Sequence, residues 1–333
     1  MKAFRVLLGA LLLSAAALAG ETADKPLYRD PVHDGAADPE LVWNAAEGKW
    51  FMFYTNRRAN VPGLKGVSWV QGTRIGIAES ETGARWRYRG VAEIDYGEGE
   101  FSYWAPDIVT HGGVHHMFLT FVPGIHTDWG RERHILHLTS DDLLKWRFES
   151  RLDLGSDRVI DACVFRAPGG GWRMWYKDEG RDSRTFVSES PDLHRWSPGK
   201  PAAADIACEG PKVFQWHDRY WMVTDEWRGL AVFQSPDCER WARQPANILE
   251  APGTGLDDMF TGRHADVVVN GGRAYVFYFT HPGRVEKDED LGIYATRRSS
   301  IQVAELRLEN GEIACDRNAP VDIRLGPDED AAR

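Results

Sequence analysis

Five short apolar strands, each opened by an acidic residue, recur along this chain, and each is followed by a tight turn and a second, aromatic strand. The openings are Asp38 (DPELVW), Asp107 (DIVTHG), Asp161 (DACVFR), Glu209 (EGPKVF) and Asp266 (DVVVNG). Their partners are KWFMFYT (49–55), HHMFLTF (115–121), GWRMWYK (171–177), RYWMVTD (219–225) and RAYVFYF (273–279). A strand-only repeat of roughly 45–65 residues cannot bury its apolar face alone, so copies must stack around an axis. The pattern predicts an all-β chain: a five-bladed β-propeller of four-stranded antiparallel blades. If each acid holds the same place in its blade, five carboxyl groups converge on one axis, a concentration of charge that invites a functional explanation.

A third strand follows in every repeat: TRIGIAES (73–80), RHILHLTS (133–140), RTFVSES (184–190), LAVFQS (230–235) and IQVAELRL (301–308). In four repeats it ends on a Ser with a Trp six residues later: Ser80/Trp86, Ser140/Trp146, Ser190/Trp196 and Ser235/Trp241. Asp142, Asp192 and Asp237 follow two residues after that Ser, with Thr82 in the first repeat. These are expected to be hairpins whose Ser and Asp cap backbone amides and whose Trp packs between blades.

Residues 1–19 carry a basic start, an apolar run and an Ala17-Leu18-Ala19 motif before Gly20, the pattern of a cleavable secretory signal peptide. The expected organisation is a signal peptide over 1–19, a propeller over 28–314 and a C-terminal tail over 315–333, in a periplasmic or secreted protein. No Cys follows the cleavage site and no later apolar run reaches bilayer length, so neither a lipid anchor nor a membrane span is expected. A net charge of −10 disfavours nucleic acid as a partner. Cys163, Cys208, Cys238 and Cys315 lack metal-site spacing. They are read as buried free thiols, with a Cys163–Cys208 bridge as the alternative outside the cytoplasm.

Because the acids open the first strands, they share a face with the loops that join second strands to third. Those loops are long and charged: NRRANVPGLKGVSWVQG (56–72), VPGIHTDWGRER (122–133), KDEGRDSR (177–184), DEWRG (225–229) and THPGRVEKDEDLG (280–292). Such loops on one face of a rigid scaffold are the usual seat of binding residues. With 14 Trp in an exported acidic chain, carbohydrate is the expected partner.

Asp38-Pro39, Trp104-Ala105-Pro106-Asp107, Ile160-Asp161 and Glu209-Gly210-Pro211, in that order over about residues 28–310, resemble the motifs of glycoside hydrolase family 43. The resemblance implies a five-bladed propeller that cleaves sugars, commonly arabinofuranose or xylose, with inversion. It further implies Asp38 as general base, Glu209 as general acid and Asp161 as the residue that tunes Glu209. His264 would be the central histidine that holds an axial water or calcium, no cofactor being otherwise required, or simply a satisfied axial side chain. Asp107 would be a pocket wall. Arg57, Arg58, Trp69, Trp104, Lys177, Trp227 and Arg228 are the further candidates for substrate binding, with Asp34 as an alternative to Asp38. Two departures stand out: Ala162 follows Asp161 where Pro is usual, and the Arg57-Arg58/Trp69 loop resembles family 117, which removes 3,6-anhydro-L-galactose from agar fragments. Such residues suit an exo-acting inverting glycosidase of plant or algal oligosaccharide, since two carboxyls must flank the anomeric carbon. The competing readings are a non-catalytic carbohydrate-binding propeller and a sialidase-like enzyme, the latter set back by a count of five blades rather than six.

Overall fold

The computed structural model describes residues 20–202, 206–285 and 291–327, so the expected signal peptide lies outside the described residues. Five antiparallel sheets follow one another along the chain as the repeats predict. Their innermost strands are Ala36–Asn44, Phe101–His111, Val159–Arg166, Glu209–Trp216 and Arg263–Asn270. Four sheets have four strands; the second gains a fifth because Glu93–Asp95 pairs in parallel with Lys145–Arg151 at its outer edge.

The Ser/Trp turns form as read. Ser140 Oγ accepts the amides of Asp142 and Leu143 at 3.2 and 2.9 Å, and Asp142 Oδ1 accepts those of Leu144 and Lys145, each at 2.8 Å. The Trp then reaches the preceding blade. Trp146 meets Phe53 edge-on at 6.0 Å, Trp196 meets Phe118 at 5.4 Å and Trp241 meets Trp175 at 6.1 Å. Each contact lies within an apolar cluster between neighbouring blades. Burying a large aromatic at every seam makes the hydrophobic term act between blades as much as within them.

The segment beyond Cys315 returns to close the ring. Asp322–Ile323 pairs with Glu21–Thr22, and Val321, Ile323 and Leu325 are buried with Trp50 and Ala78 of the first blade. The four cysteines carry free thiols, and the alternative Cys163–Cys208 bridge is not formed.

One expectation needs correcting: the acids do not share one level. Every inner strand slips register against its partner, with irregularities at Ala37/Glu40, Trp104/Asp107, Ile160/Cys163, Glu209/Lys212 and Arg263/Ala265. Asp38, Ala105, Asp161, Gly210 and His264 occupy those bulges. The first four have left-handed φ values of 50, 42, 57 and 56°. Two residues further on, Glu40, Asp107, Cys163, Lys212 and Asp266 form a second, deeper level. Asp107 and Asp266 thus belong one layer below Asp38 and Asp161, and the bulge is the physical reason.

This deeper level stitches the ring together. Glu40 accepts the amide of Ile108 at 3.1 Å, Asp107 that of Val164 at 2.8 Å, Cys163 that of Val213 at 3.2 Å and Asp266 that of Leu41 at 2.8 Å. Lys212, which cannot accept, sends its ammonium inward to Glu40 at 2.6 Å and to Asp107 and Asp266, each at 3.1 Å. Burial works against its charge, but the three carboxyls hold its pKa well above the ordinary lysine value. Burial likewise pushes Glu40 and Asp107 upward, against the pull of Lys212. Lys212→Met removes the cation and leaves three buried carboxyls facing one another. The expected loss of stability in urea unfolding is about 3–5 kcal/mol; a loss below about 1 kcal/mol would show that the lysine does not hold the axis.

Candidate functional site

Above the axial ring lies a pocket of about 520 Å³ lined by Asp38, Asp161 and Glu209, which come from the first, third and fourth blades. The left-handed bulges turn two of these carboxyls into it. A non-glycine residue in that conformation costs on the order of 1–2 kcal/mol, and Asp38 and Asp161 both adopt it where they reach the pocket. At the equivalent place in the fourth blade only Gly fits, since a Cβ on Gly210 would come within 2.4 Å of the His264 ring. Glu209 is the residue just before it.

His264 sits between two of the acids, its Nδ1 3.5 Å from Asp38 Oδ1 and 4.0 Å from Asp161 Oδ2. Asp161 is fixed on both sides: its amide donates to Thr120 Oγ1 at 3.1 Å, and its Oδ2 accepts the Gly210 amide at 3.2 Å. Asp38 faces the Arg57 guanidinium, whose Nη2 lies 3.4 Å from each carboxylate oxygen. Arg57 in turn lies over the Phe279 ring at 4.7 Å and donates from Nη1 to His281 Nε2 at 3.2 Å. That assignment follows from the other ring nitrogen, Nδ1, which lies 3.0 Å from the Arg298 carbonyl and must donate there. Burial, with Arg284 and Arg57 nearby, keeps His281 neutral by holding its pKa well below the usual value.

Glu209 is gripped by Lys177, whose Nζ lies 2.9 Å from Oε2. Burial favours the neutral acid, but Lys177, Arg263 and His264 outweigh it and bring the pKa down to about 2. Asp161 moves the other way. Burial dominates there, Glu209 and Asp38 add like charge, and the carboxyl rises to about 7 despite His264. Of these two carboxyls, Asp161 is therefore the one that keeps its proton to higher pH.

Of the binding candidates, Arg57, Trp69, Trp104, Lys177 and Trp227 line the pocket. Trp69 stands on a short 3₁₀ turn, Gly66–Val70, under the guanidinium of Arg297. Trp104 donates Nε1–H to the Val70 carbonyl at 2.8 Å and meets Trp129 edge-on. Lys177 lies 5.2 Å from the Trp227 ring centre.

Three candidates are not at the pocket. Arg58 turns away to the Ser68 carbonyl at 2.6 Å, because the adjacent 3₁₀ turn offers that acceptor. Arg228 is an exposed partner of Glu226 and Glu250. Asp107 is committed to Lys212 in the layer below, so it is not a pocket wall. Asp34 pairs with Arg29 and Tyr294 rather than entering the pocket.

Sequence reasoning did not single out Trp129, Arg133, Arg158, Glu179, Arg263, His281 and Arg284, which also line the cavity. Trp129, Arg133 and Glu179 sit in the charged loops noted above, so that signal was present. Arg158 enters from the segment leading into the third inner strand. Together the lining holds six cations, Arg57, Arg133, Arg158, Lys177, Arg263 and Arg284, against four carboxyls, those of Asp38, Asp161, Glu179 and Glu209.

The axial-calcium expectation finds few oxygen donors on the protein itself. Calcium takes six to eight oxygens, whereas His264 Nδ1 has two carboxyls at 3.5 and 4.0 Å. Among the described residues no group of three or more His, Cys, Asp or Glu side chains is arranged to hold a metal.

No family model matches the sequence. A probable sucrose-6-phosphate hydrolase of Psychromonas ingrahamii is 23% identical over 155 residues, which cover 40% of this chain and 28% of that protein. Solved structures resemble it over far more of its length. A thermostable family-43 glycoside hydrolase superposes with a TM-score of 0.65 at 19% identity, covering 91% of this chain and 99% of the other. A family-43 β-1,3-galactosidase bound to galactodeoxynojirimycin gives 0.62 at 15% identity over 93% of this chain and 99% of the other. The family-32 β-fructofuranosidase of Bombyx mori gives 0.62 at 14% identity over 84% of this chain and 62% of the other. The fold is therefore the five-bladed propeller shared by glycoside hydrolases of families 43 and 32.

Proposed function

We propose that the protein is a glycosidase, acting at the end of an oligosaccharide or polysaccharide of plant or algal origin and inverting the anomeric centre. The observation that carries this reading is the meeting of Asp38, Asp161 and Glu209, from three separate blades, in one aromatic-walled cavity of a propeller whose structural neighbours are glycoside hydrolases. Glycoside cleavage needs one carboxyl to protonate the leaving oxygen and another to activate water. Asp38, set against Arg57, suits the base. A pocket that opens to one face and is floored at the axis suits a terminal sugar better than the interior of a long chain. The 1–19 segment, if removed on export, would deliver the enzyme to polysaccharide outside the cytoplasm.

The proton donor has two candidates. The family resemblance favours Glu209, which must then gain a proton once a bound sugar loosens its contact with Lys177. The resting charge distribution favours Asp161, which keeps its proton to higher pH than Glu209 because burial and two like charges raise it to about 7.

Leaving-group dependence decides between them. Removing a general acid costs about 10²–10⁴ in rate where the leaving group needs protonation, and little where it departs as a stable phenolate. With Glu209 as donor, Glu209→Gln loses that factor on alkyl glycosides and oligosaccharides but retains most activity on dinitrophenyl glycosides. With Asp161 as donor, Asp161→Asn shows that split instead. Wild-type turnover unchanged by either substitution would remove both from the mechanism.

The pH profile gives a second check. Donation by Asp161 requires its protonated form, so kcat/KM of the wild type should fall as pH rises through about 7. Product followed by NMR should appear first as the inverted anomer; appearance of the retained anomer would overturn the stereochemical assignment.

A further inference from the structure

The chain as a whole carries a net charge of −10, yet the cavity wall carries more cations than carboxyls. Half of the excess lies around Glu179. Its carboxylate lies 2.7 Å from Arg133, 3.3 Å from Lys177 and 3.8 Å from Arg158. Lys177 also serves Glu209, so three cations share two carboxylates on this wall.

The three cations are not equally committed. Arg133 is 2% exposed, held by Glu179, the Trp129 carbonyl and the Arg131 carbonyl, and lies between the rings of Trp104 and Trp129. Lys177 is 5% exposed and spans two carboxylates. The Arg158 side chain is 36% exposed, and its one ion pair is the longest of the three. Among the described residues no acceptor is hydrogen-bonded to its Nε, which is buried. Arg158 therefore lines the cavity as a guanidinium whose donors are largely unused.

A neutral sugar seated here can offer that guanidinium hydroxyl oxygens but no opposite charge, so its charge is left without a counter-charge as water is displaced. An anionic substituent would instead accept from it, in the two-point geometry that guanidinium and carboxylate or sulfate share. We propose that the sugar recognised by this pocket bears an anionic substituent, a carboxylate or a sulfate ester, and that Arg158 selects it. This rests on the glycosidase reading for the sugar, and names the substrate class of the same cavity.

The test compares sugars that differ only in charge: glucuronate with glucose, galacturonate with galactose, and galactose 6-sulfate with galactose. Binding to the protein is measured by calorimetry, and kcat/KM by hydrolysis of the corresponding p-nitrophenyl glycosides. At least one charged member should bind about tenfold or more tightly than its neutral counterpart. The carboxylate and sulfate arms identify which anion is meant. Arg158→Gln should weaken the charged member about tenfold more than its neutral counterpart, removing most of that preference, and Arg158→Lys should restore part of it.

Equal affinity for charged and neutral members in all three pairs overturns the inference. So does an Arg158→Gln protein that keeps the preference, or one that weakens both members alike. Hydrolysis of neutral glycosides without charge preference would sink this inference and leave the glycosidase reading standing. An Arg158-dependent preference in binding, with no hydrolysis of any glycoside, would do the reverse.

Discussion

Lys212 and the carboxyls around it are the constraint on which the rest of this architecture depends. A propeller closes only if each blade is tied to the next near the axis, where inner strands diverge and leave amides unpaired. Glu40, Asp107, Cys163 and Asp266 each accept one such amide from a neighbouring inner strand. Three of these acceptors are acids, and crowding them at the axis would be prohibitive without a cation among them. Lys212 supplies that cation from the fourth blade, where a further acceptor would otherwise stand. Buried ion pairs of this kind rarely add net stability over an apolar plug, but they fix which strand sits beside which.

That floor determines what the pocket above can be. Because the axis is closed by the Lys212 level, the cavity opens to one face, and the side chains immediately above the floor are those on the bulges. The left-handed residues there turn Asp38 and Asp161 toward the same space, with His264 between them. The charge pattern follows from position: Glu209 touches Lys177 and is held ionised, whereas Asp161 has two acids nearby and no comparable cation in contact. Two carboxyls driven apart in this way are the arrangement from which acid and base roles arise.

Much of the architecture was legible because strand alternation and the Ser/Trp turns repeat with the blades, and each repeat obeys local rules. Trp146, Trp196 and Trp241 could be placed between blades from spacing alone. The level of each acid could not. An acid two residues later in the repeat, such as Asp107 or Asp266, looks equivalent to Asp38 until the bulge is seen. A bulge is a change in pairing, which no single strand announces. Arg58 and Arg228 failed for a related reason: a charged loop residue reveals its face of the propeller but not whether a nearby carbonyl or carboxylate claims it first. Arg158 escaped notice because it precedes its strand rather than sitting in one of the long loops.

The ring is fastened by its two ends. Glu21–Thr22 lies alongside Asp322–Ile323, the Trp50 indole donates to the Gly326 carbonyl at 3.1 Å, and Ile323 and Leu325 fill the seam between the last blade and the first. A chain emerging from the ribosome therefore holds its first blade with one apolar flank uncovered until the segment around Ile323 has appeared. Assembly of this seam is a late event by geometry alone. Four of the five junctions can zip in order of synthesis, while the fifth waits with its apolar flank open to water.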